Sequence, residues 1–427
     1  MSTTGQQDPR GLLTGWLEEA VAAVQAPRCL PGSLPRPPRG RTVVVGAGKA
    51  AAAMAAAVER LWGGPLEGRV IVPYGHGVPC ASVAVHEAGH PVPDAAGAAA
   101  TEQLLAELDG LGEDDLALVL LSGGGSALLT APAPPLTLAE KQAVTASLLR
   151  SGAPIAAINT VRRHLSAVKG GRLALRAAPA QVVSLVISDV PGDDPATVAS
   201  GPVAADSSRP ADARRILERY TGGVPAAVAA ALDGGEAPPA PADPRLARVE
   251  QRVVASAYTA LQAAARSAHA AGVTPLILGD ALEGEAREVA RVLVGIARSC
   301  QRHGVPAAPP CVLLSGGETT VTVRGGGRGG RNTELALAAA EALDGVPGIH
   351  LLSADTDGID GTERNAGAVV GPGTLARARA QGIYPQRHLA ENDSFGCLEP
   401  LGALLETGPT LTNVNDFRAL LVEPAQG

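Results

Sequence analysis

Three glycine-rich stretches place residues where an anion could be held. In "VVVGAGKAAAAM", Gly46 and Gly48 form a tight turn between an apolar run and a helix-forming run, with Lys49 at the junction. Such a turn offers backbone N–H groups and a helix start to an anion, and the lysine adds a mobile positive charge. It lacks the four-residue spacer and the Ser/Thr after the lysine that a Walker A loop needs. In "SGGGSALL", Gly123, Gly124 and Gly125 lie between the hydroxyls of Ser122 and Ser126, a good anion nest or a tight turn under a packed helix. "RGGGRGGRNTELALAAAEAL" contains G-x-G-x-x-G from Gly325 to Gly330, with Arg328 and Arg331 at the helix entrance. That favours phosphate, from ATP as well as from NAD, and Asp355 would serve as ribose acid only at a stretched interval.

Charged turns and runs supply the other candidates. "SDVPGDD" (Ser188–Asp194) and "DTDGIDG" (Asp355–Gly361) are acidic turns after apolar runs. Carboxylates there suit Mg²⁺, which uses one or two of them together with waters and substrate phosphates. The second turn opens like a calcium loop, but its twelfth position is Ala366 instead of Glu. "NTVRRHLSAVKGGRLA" gathers Arg162, Arg163, His164, Lys169 and Arg172. On one helix Arg162, Lys169 and Arg172 would share a face beside Gly170 and Gly171, either as a solvated basic surface or as a clamp for a carboxylate or phosphate.

"HEAGHPVPD", from His86, reads as the His-Glu-x-x-His of zinc proteases. That chemistry needs a helix, so that both histidines fall on one face. The preceding residues alternate as a strand does, and Pro91 pushes His90 out of helical geometry. On an extended segment the two histidines stand roughly 13 Å apart, too far to share one ion. The zinc reading therefore fails; Asp94 is the expected N-cap of the next helix, and His90 belongs to a loop at a strand end.

The elements that position these groups repeat a rhythm of apolar run, Gly-rich or acidic turn, and helix. "RTVVVGAGK", "LALVLLSGGGSALL", "QVVSLVISDVPGDD", "VTPLILGD", "PCVLLSGGETT" and "GIHLLSADTDGIDG" are the strand candidates. This predicts an α/β protein with mostly parallel sheets flanked by helices, and ligands outside the carboxyl ends of the strands. A chain of 427 residues exceeds what one core supports, so two domains are expected. The Pro/Ala-rich stretch Asp233–Glu250 is the best boundary, giving a Rossmann-like domain 1–235, a linker 236–249 and a second α/β domain 250–427. "VLLSGG" occurs at Val119–Gly124 and again at Val312–Gly317, which suggests similar chemistry in both halves.

Composition narrows the classes further. Apolar residues at 46% suffice for globular cores, and aromatics at 2% mean that Val, Leu and Ala must fill them. A formal charge of −7 without a basic block argues against a nucleic-acid partner. Cys29, Cys80, Cys300, Cys311 and Cys397 are scattered and odd in number, as for reduced thiols in a cytoplasmic protein. The N-terminus has Glu18 and Glu19 inside its apolar run and reads as a soluble amphipathic helix. The uncharged stretch Leu116–Ala139 is broken by Gly123–Gly125 and "APAPP", so no membrane span is expected.

Taken in order, "VVVGAGKAA", "HEAGHPVPD", "LVLLSGGGSALL", "INTVRRHLSAVKGGRLA", "SLVISDVPGDDPATVASGP", "LLSGGETTV", "GGRNTELAL", "SADTDGIDGTERNAGA", "NDSF" and "TNVND" resemble the glycerate 2-kinase family over nearly the whole chain. The resemblance implies phosphoryl transfer from ATP to the 2-hydroxyl of D-glycerate in a cleft between two α/β domains. Some members carry the label hydroxypyruvate reductase, which keeps an NAD(P)H-dependent reductase as the alternative. Under the kinase reading Lys49 and Arg331 act on the transferring phosphate. Asp189, Asp194 and Asp355 are candidates for Mg²⁺, with Asp189 or Asp194 as base. Arg163 and Lys169 hold the glycerate carboxylate. The ATP or phosphate set is Gly46, Gly48, Ser122, Gly123, Gly124, Gly125, Ser126, Gly316, Gly317, Glu318 and Asn332.

Overall fold

A computed structural model describes residues 8–425. The chain forms two compact units, one spanning Ala26–Val254 and the other combining the chain from Ala255 onward with the residues up to Gln25.

In the first unit, β1 (Thr42–Ala47), β2 (Glu67–Pro73), β3 (Val83–Ala88), β4 (Leu116–Leu121), β5 (Gln181–Ile187) and β6 (Val249–Ala255) form one sheet. Its order is β3-β2-β1-β4-β5-β6. The β2/β3, β1/β2, β1/β4 and β4/β5 pairs are parallel. Every residue of β1 and β4 is buried, as their unbroken apolar runs require of strands covered on both faces. The core is Val, Leu and Ala, with Val43, Val45, Val119, Leu121 and Val186 at its centre. The strand order reverses between β1 and β4, and in doubly wound sheets ligands bind outside the carboxyl ends at that point. The "GAGK" and "SGGGS" turns lie there.

A second hydrophobic cluster joins the helices Leu138–Arg150, Ile155–His164, Pro210–Thr221 and Ala226–Gly234 through Val144, Leu148, Ile158, Val161, Leu217 and Val228. These helices stand apart from the sheet core and supply one wall of the site described below. Asp94 caps the helix Ala95–Glu107 as expected, accepting from the Gly97 N–H at 2.9 Å.

In the second unit, β7 (Thr274–Gly279), β9 (Cys311–Ser315), β11 (Ile349–Asp355), β12 (Gly367–Val370), β13 (Leu404–Leu405) and β14 (Asp416–Val422) pair in the order β13-β12-β11-β14-β9-β7; β8 (Gly284–Glu285) and β10 (Thr319–Thr320) form a separate small pair. Only β7 and β9 run parallel in the larger sheet among the described residues; its other pairs are antiparallel. The α/β class holds, but the expectation of a mostly parallel second sheet is corrected. The reason lies in the connections. Parallel neighbours need a long crossover, whereas β11 turns straight back into β12 through the acidic turn after Asp355.

The expected boundaries also shift. The helix Pro9–Val24 buries Leu13, Trp16, Leu17, Ala20 and Val24 and packs on the helix Ala257–Ala270 of the second unit. Thr412 Oγ1 donates to the Val24 carbonyl at 2.8 Å. Residues 1–7 of the expected N-terminal helix lie outside the described residues. The expected linker 236–249 packs within the first unit, because Pro238 and Pro239 are buried against Gly170 and Gly171.

Candidate active site

The "GAGK" and "SGGGS" turns lock together at the β1/β4 switch point. Gly48 N–H donates to the Ile71 carbonyl (3.1 Å) and Lys49 N–H to the Gly123 carbonyl (2.8 Å). Ala50 N–H donates to the buried Ser122 hydroxyl at 2.9 Å. Gly48 sits at φ +137°, and a Cβ there would lie 2.2 Å from Ser122 Oγ. Amides expected to cradle phosphate are thus used inward. For Gly46, Gly48 and Ser122 the phosphate-contact expectation is corrected: they form a packing joint that aims Lys49.

Gly124, at φ +84°, brings three groups together. A Cβ there would lie 3.1 Å from the His90 imidazole and 3.6 Å from Lys49 Cγ. The His90 ring and the Lys49 stem therefore both pass over this glycine. Ser126 Oγ meets Ser200 Oγ at 2.8 Å. Ala199 and Ser200 are held in left-handed backbone (φ 53° and 61°), a strained turn of the kind that survives where its surroundings fix it.

Beside this junction lies a cavity of about 580 Å³ contained in the first unit. His90, Gly124, Ser126 and Thr130 line it together with Lys141, Arg162 and Lys169. Pro91, Val92, Ala139, Ala143 and Leu149 add apolar wall, and no Asp or Glu is among the lining residues. Lys169 is 1% exposed, with Nζ donating to the Leu129 carbonyl at 2.7 Å. Burial, followed by the nearby charges of Lys141 and Arg162, holds the Lys169 amine well below its ordinary pKa. A cavity lined by cations without a counter-carboxylate is built for an oxyanion.

The basic run is therefore resolved residue by residue. The helix stops at His164, a turn follows, and a new helix begins at Arg172, so no continuous face exists. Arg163, expected on the carboxylate, is instead paired with Asp206 at 2.6 Å and does not line the cavity. Arg162 takes its place there. Arg172 turns away and holds the carbonyls of Arg163 (3.0 Å) and Lys169 (3.2 Å). Replacing Arg163 by Ala is expected to lower stability by about 2 kcal/mol, since Asp206 is left buried without its cation. Turnover should change less than about threefold. Thermal melts and steady-state kinetics check both.

Lys141 carries no role in the sequence analysis, whereas Arg162 stands there on the face read as a possible anion clamp. The signal was present: Lys141, Val144 and Leu148 share the buried face of the helix Leu138–Arg150. A lysine in an apolar stripe is the mark of a buried charge.

In the "SDVPGDD" turn, Asp189 follows β5 at its carboxyl end. Asp194 is exposed and caps its own turn through the Ala196 N–H (3.0 Å) and Thr197 Oγ1 (3.4 Å). Burial, and then Arg69 at 3.0 Å from its Nε2, push the His86 imidazole below its ordinary pKa, and no group of three or more His, Cys, Asp or Glu able to hold a metal occurs among the described residues.

The second unit centres on Arg331, the first residue of the helix Arg331–Leu343. Its guanidinium bonds Asp355 at 2.6 Å and Asp416 at 2.7 Å and lies 3.3 Å from Glu318. Burial disfavours its charge, but Asp416, Asp355 and Glu318 more than offset this and hold its pKa above the ordinary value. Asp355 was expected on a metal; its oxygens instead serve Arg331 and the Asp357 N–H at 3.0 Å. Asn332 was expected on the nucleotide; it is fully buried, donating to Asp416 at 2.8 Å and accepting from Ser353 at 2.6 Å. The backbone of Gly316 and Gly317 is used similarly: Gly316 O accepts from Leu282 N–H (3.2 Å) and Gly317 O from Asp416 N–H (3.0 Å). Asp416, within "TNVND", carried no role in the sequence reading.

The G-x-G-x-x-G loop does not form a dinucleotide turn. Arg324 and Gly325 donate their N–H groups to Asn392 Oδ1 at 2.7 and 3.1 Å, and Arg328 N–H donates to Asp393 at 3.1 Å. The glycines let this loop lie along the "NDSF" segment.

A cation-lined cavity beside the β1/β4 switch point suits a small anionic ligand. Family models match at residues 12–233, for a domain of unknown function (DUF4147), and at residues 311–416, for the MOFRL family. A D-glycerate 2-kinase of Thermotoga maritima is 42% identical over 94% of this chain and 95% of its own. A solved glycerate kinase structure from the same organism superposes with a TM-score of 0.89 at 41% identity, covering 97% of this chain and 99% of that one. A protein of Agrobacterium vitis with the provisional name hydroxypyruvate reductase is 51% identical over 97% of this chain and 94% of its own. The chain belongs to the glycerate 2-kinase family.

Proposed function

We propose that this chain is an ATP-dependent glycerate kinase, transferring the γ-phosphoryl group to the 2-hydroxyl of D-glycerate and giving 2-phosphoglycerate and ADP. Relatives named for glycerate phosphorylation that match nearly end to end support the reaction. The observation that carries it to particular residues is the junction of Lys49, His90 and Gly124 beside the cation-lined cavity. The order of the first sheet supports its Rossmann-like reading and a nucleotide at the switch point.

Phosphoryl transfer asks the protein mainly for positioning and charge neutralisation. Lys49 supplies positive charge to the transferring phosphate from a turn whose backbone is fixed by Gly123 and Ser122. Arg331 supplies a second charge, with its orientation set by Asp355 and Asp416. Arg162 and Lys169 hold the glycerate carboxylate. Gly123, Gly124, Gly125, Ser126 and Glu318 remain the nucleotide-side groups. Asp189 accepts the proton of the attacking hydroxyl. Mg²⁺ would supply charge neutralisation on the phosphates, with Asp189 and Asp194 as its protein carboxylates. That donor set fits a cation held mostly by phosphates and water, because such a site needs only one or two carboxylates. Five free thiols agree with a reducing, cytoplasmic setting.

The purified protein should release ADP only when ATP, Mg²⁺ and D-glycerate are all present. The provisional name of the Agrobacterium relative favours a second reading, reduction of hydroxypyruvate by NAD(P)H. The packing of the Gly325–Gly330 loop against "NDSF" weighs against it. No ADP release, together with NADH or NADPH oxidation on hydroxypyruvate, would replace the kinase by the reductase.

A further inference from the structure

The helix Leu138–Arg150 carries a lysine on its buried face. Lys141 is 6% exposed, and its Nζ has no hydrogen-bond partner among the described residues. Buried amines are ordinarily paired, since leaving one unmade costs the desolvation of a charged group. The side chain lines the same cavity as Arg162 and Lys169. The groups of the other elements around it are Arg162 from the helix Ile155–His164, Lys169 from the turn after it, and His90 from the loop after β3. On its own helix, Glu140 is spent on the capping box with Thr137 at 2.8 Å. Nothing acidic within the cavity lining answers Lys141, which leaves the amine open to an anionic ligand.

We propose that Lys141 is a substrate-binding residue that completes, with Arg162 and Lys169, the site for the carboxylate of the three-carbon acid. This rests on the glycerate reading above and deepens it. A carboxylate has two oxygens and about four lone-pair positions, enough for a guanidinium and two amines. Of the three cations Lys141 alone lacks a hydrogen bond among the described residues, since Lys169 holds the Leu129 carbonyl and Arg162 reaches Asn159 at 3.4 Å. Lys141 is therefore the group whose charge the ligand sets. Burial, and then the charge of Arg162, push its amine down to about 8. An anion bound beside it raises that value again. Below pH 8 the amine already carries its proton and affinity is flat; above pH 8 each anion must bring a proton, and affinity falls as pH rises.

Calorimetric binding of D-glycerate in two buffers of different ionisation heat tests this without turnover. At pH 9 the wild-type protein should take up about one proton at Lys141 per glycerate bound, besides any taken up by Lys169, and at pH 6.5 close to none at Lys141. Lys141→Met should lower that uptake by about one proton, raise the Kd and KM for glycerate by about tenfold or more, and leave the KM for ATP within a few-fold. Loss of one cation from a like-charged cluster gives the variant no reason to unfold, and the wild-type proton count needs no variant. Absence of proton uptake at pH 9, or an unchanged glycerate KM in the variant, overturns the assignment. So does a loss confined to ADP or inorganic phosphate binding, which would place a phosphate at Lys141. A wild-type protein that binds glycerate with proton uptake yet releases no ADP would instead overturn the kinase reading and leave this site standing.

Discussion

Lys49→Ala is expected to lower kcat by about three orders of magnitude, while the KM for glycerate and the thermal midpoint stay close to wild type. The backbone of the turn is fixed by bonds that the substitution leaves in place: Lys49 N–H to Gly123 and Ala50 N–H to Ser122. The stem of the side chain lies on Gly124, so truncation removes a charge and little core packing. A loss confined to kcat is the signature of a contact made in the transition state. A change of less than about tenfold, roughly 1.4 kcal/mol, would show Lys49 to be peripheral.

Arg331→Met is expected to damage both stability and activity. The side chain of Asp355 is 5% exposed and loses its cation, while the fully buried Asp416 keeps only Arg418. Breaking a buried ion pair from one side costs about 3 kcal/mol or more, read as a lower midpoint in urea or heat. Turnover should fall by about three orders of magnitude if the arginine acts on the transferring phosphate. Arg331→Lys separates the two effects. A single ammonium keeps the charge and part of the stability, but cannot reproduce a planar fork that reaches Asp355, Asp416 and Glu318 together. The conservative variant should therefore fold well and turn over poorly. Near-normal turnover in Arg331→Lys would reduce the arginine to a structural part.

The first unit was largely legible because its parallel strands announce themselves. Unbroken runs such as "VVV" and "LALVLL" read as strands buried on both faces, and each ends in a turn of distinctive chemistry. Strand direction in the second unit was not legible. β9 and β11 are both mostly apolar runs, and nothing in such a run records which way its neighbour travels; the short return after Asp355 sets β12 antiparallel to β11. The N-terminal helix shows the same limit at larger scale. Its buried stripe of Leu13, Trp16, Leu17 and Ala20 was readable, but the surface that covers it lies more than two hundred residues away.

Within the site, residue types were easier to read than their tasks. Glycines at 46 and 48 read as phosphate binders, because a sequence does not show where backbone amides point. In the structure they allow two turns to touch, and Lys49 is what that contact delivers. Arg162 and Arg163 are adjacent and chemically alike. Which one enters the cavity depends on their angular positions on the helix Ile155–His164 and on Asp206, 43 residues further on, which claims Arg163. Asp355 and Asn332 carry useful groups, yet both are enclosed around Arg331 and Asp416, and enclosure is a tertiary fact.

The central claim is the transfer of a phosphoryl group to the secondary hydroxyl of D-glycerate. Phosphorus NMR of the protein incubated with ATP, Mg²⁺ and D-glycerate tests it most directly. An ester at carbon 2 couples to a single proton and should appear as a doublet as the γ-phosphate signal disappears. A triplet, from an ester on the methylene carbon, or an unchanged ATP spectrum would contradict the account.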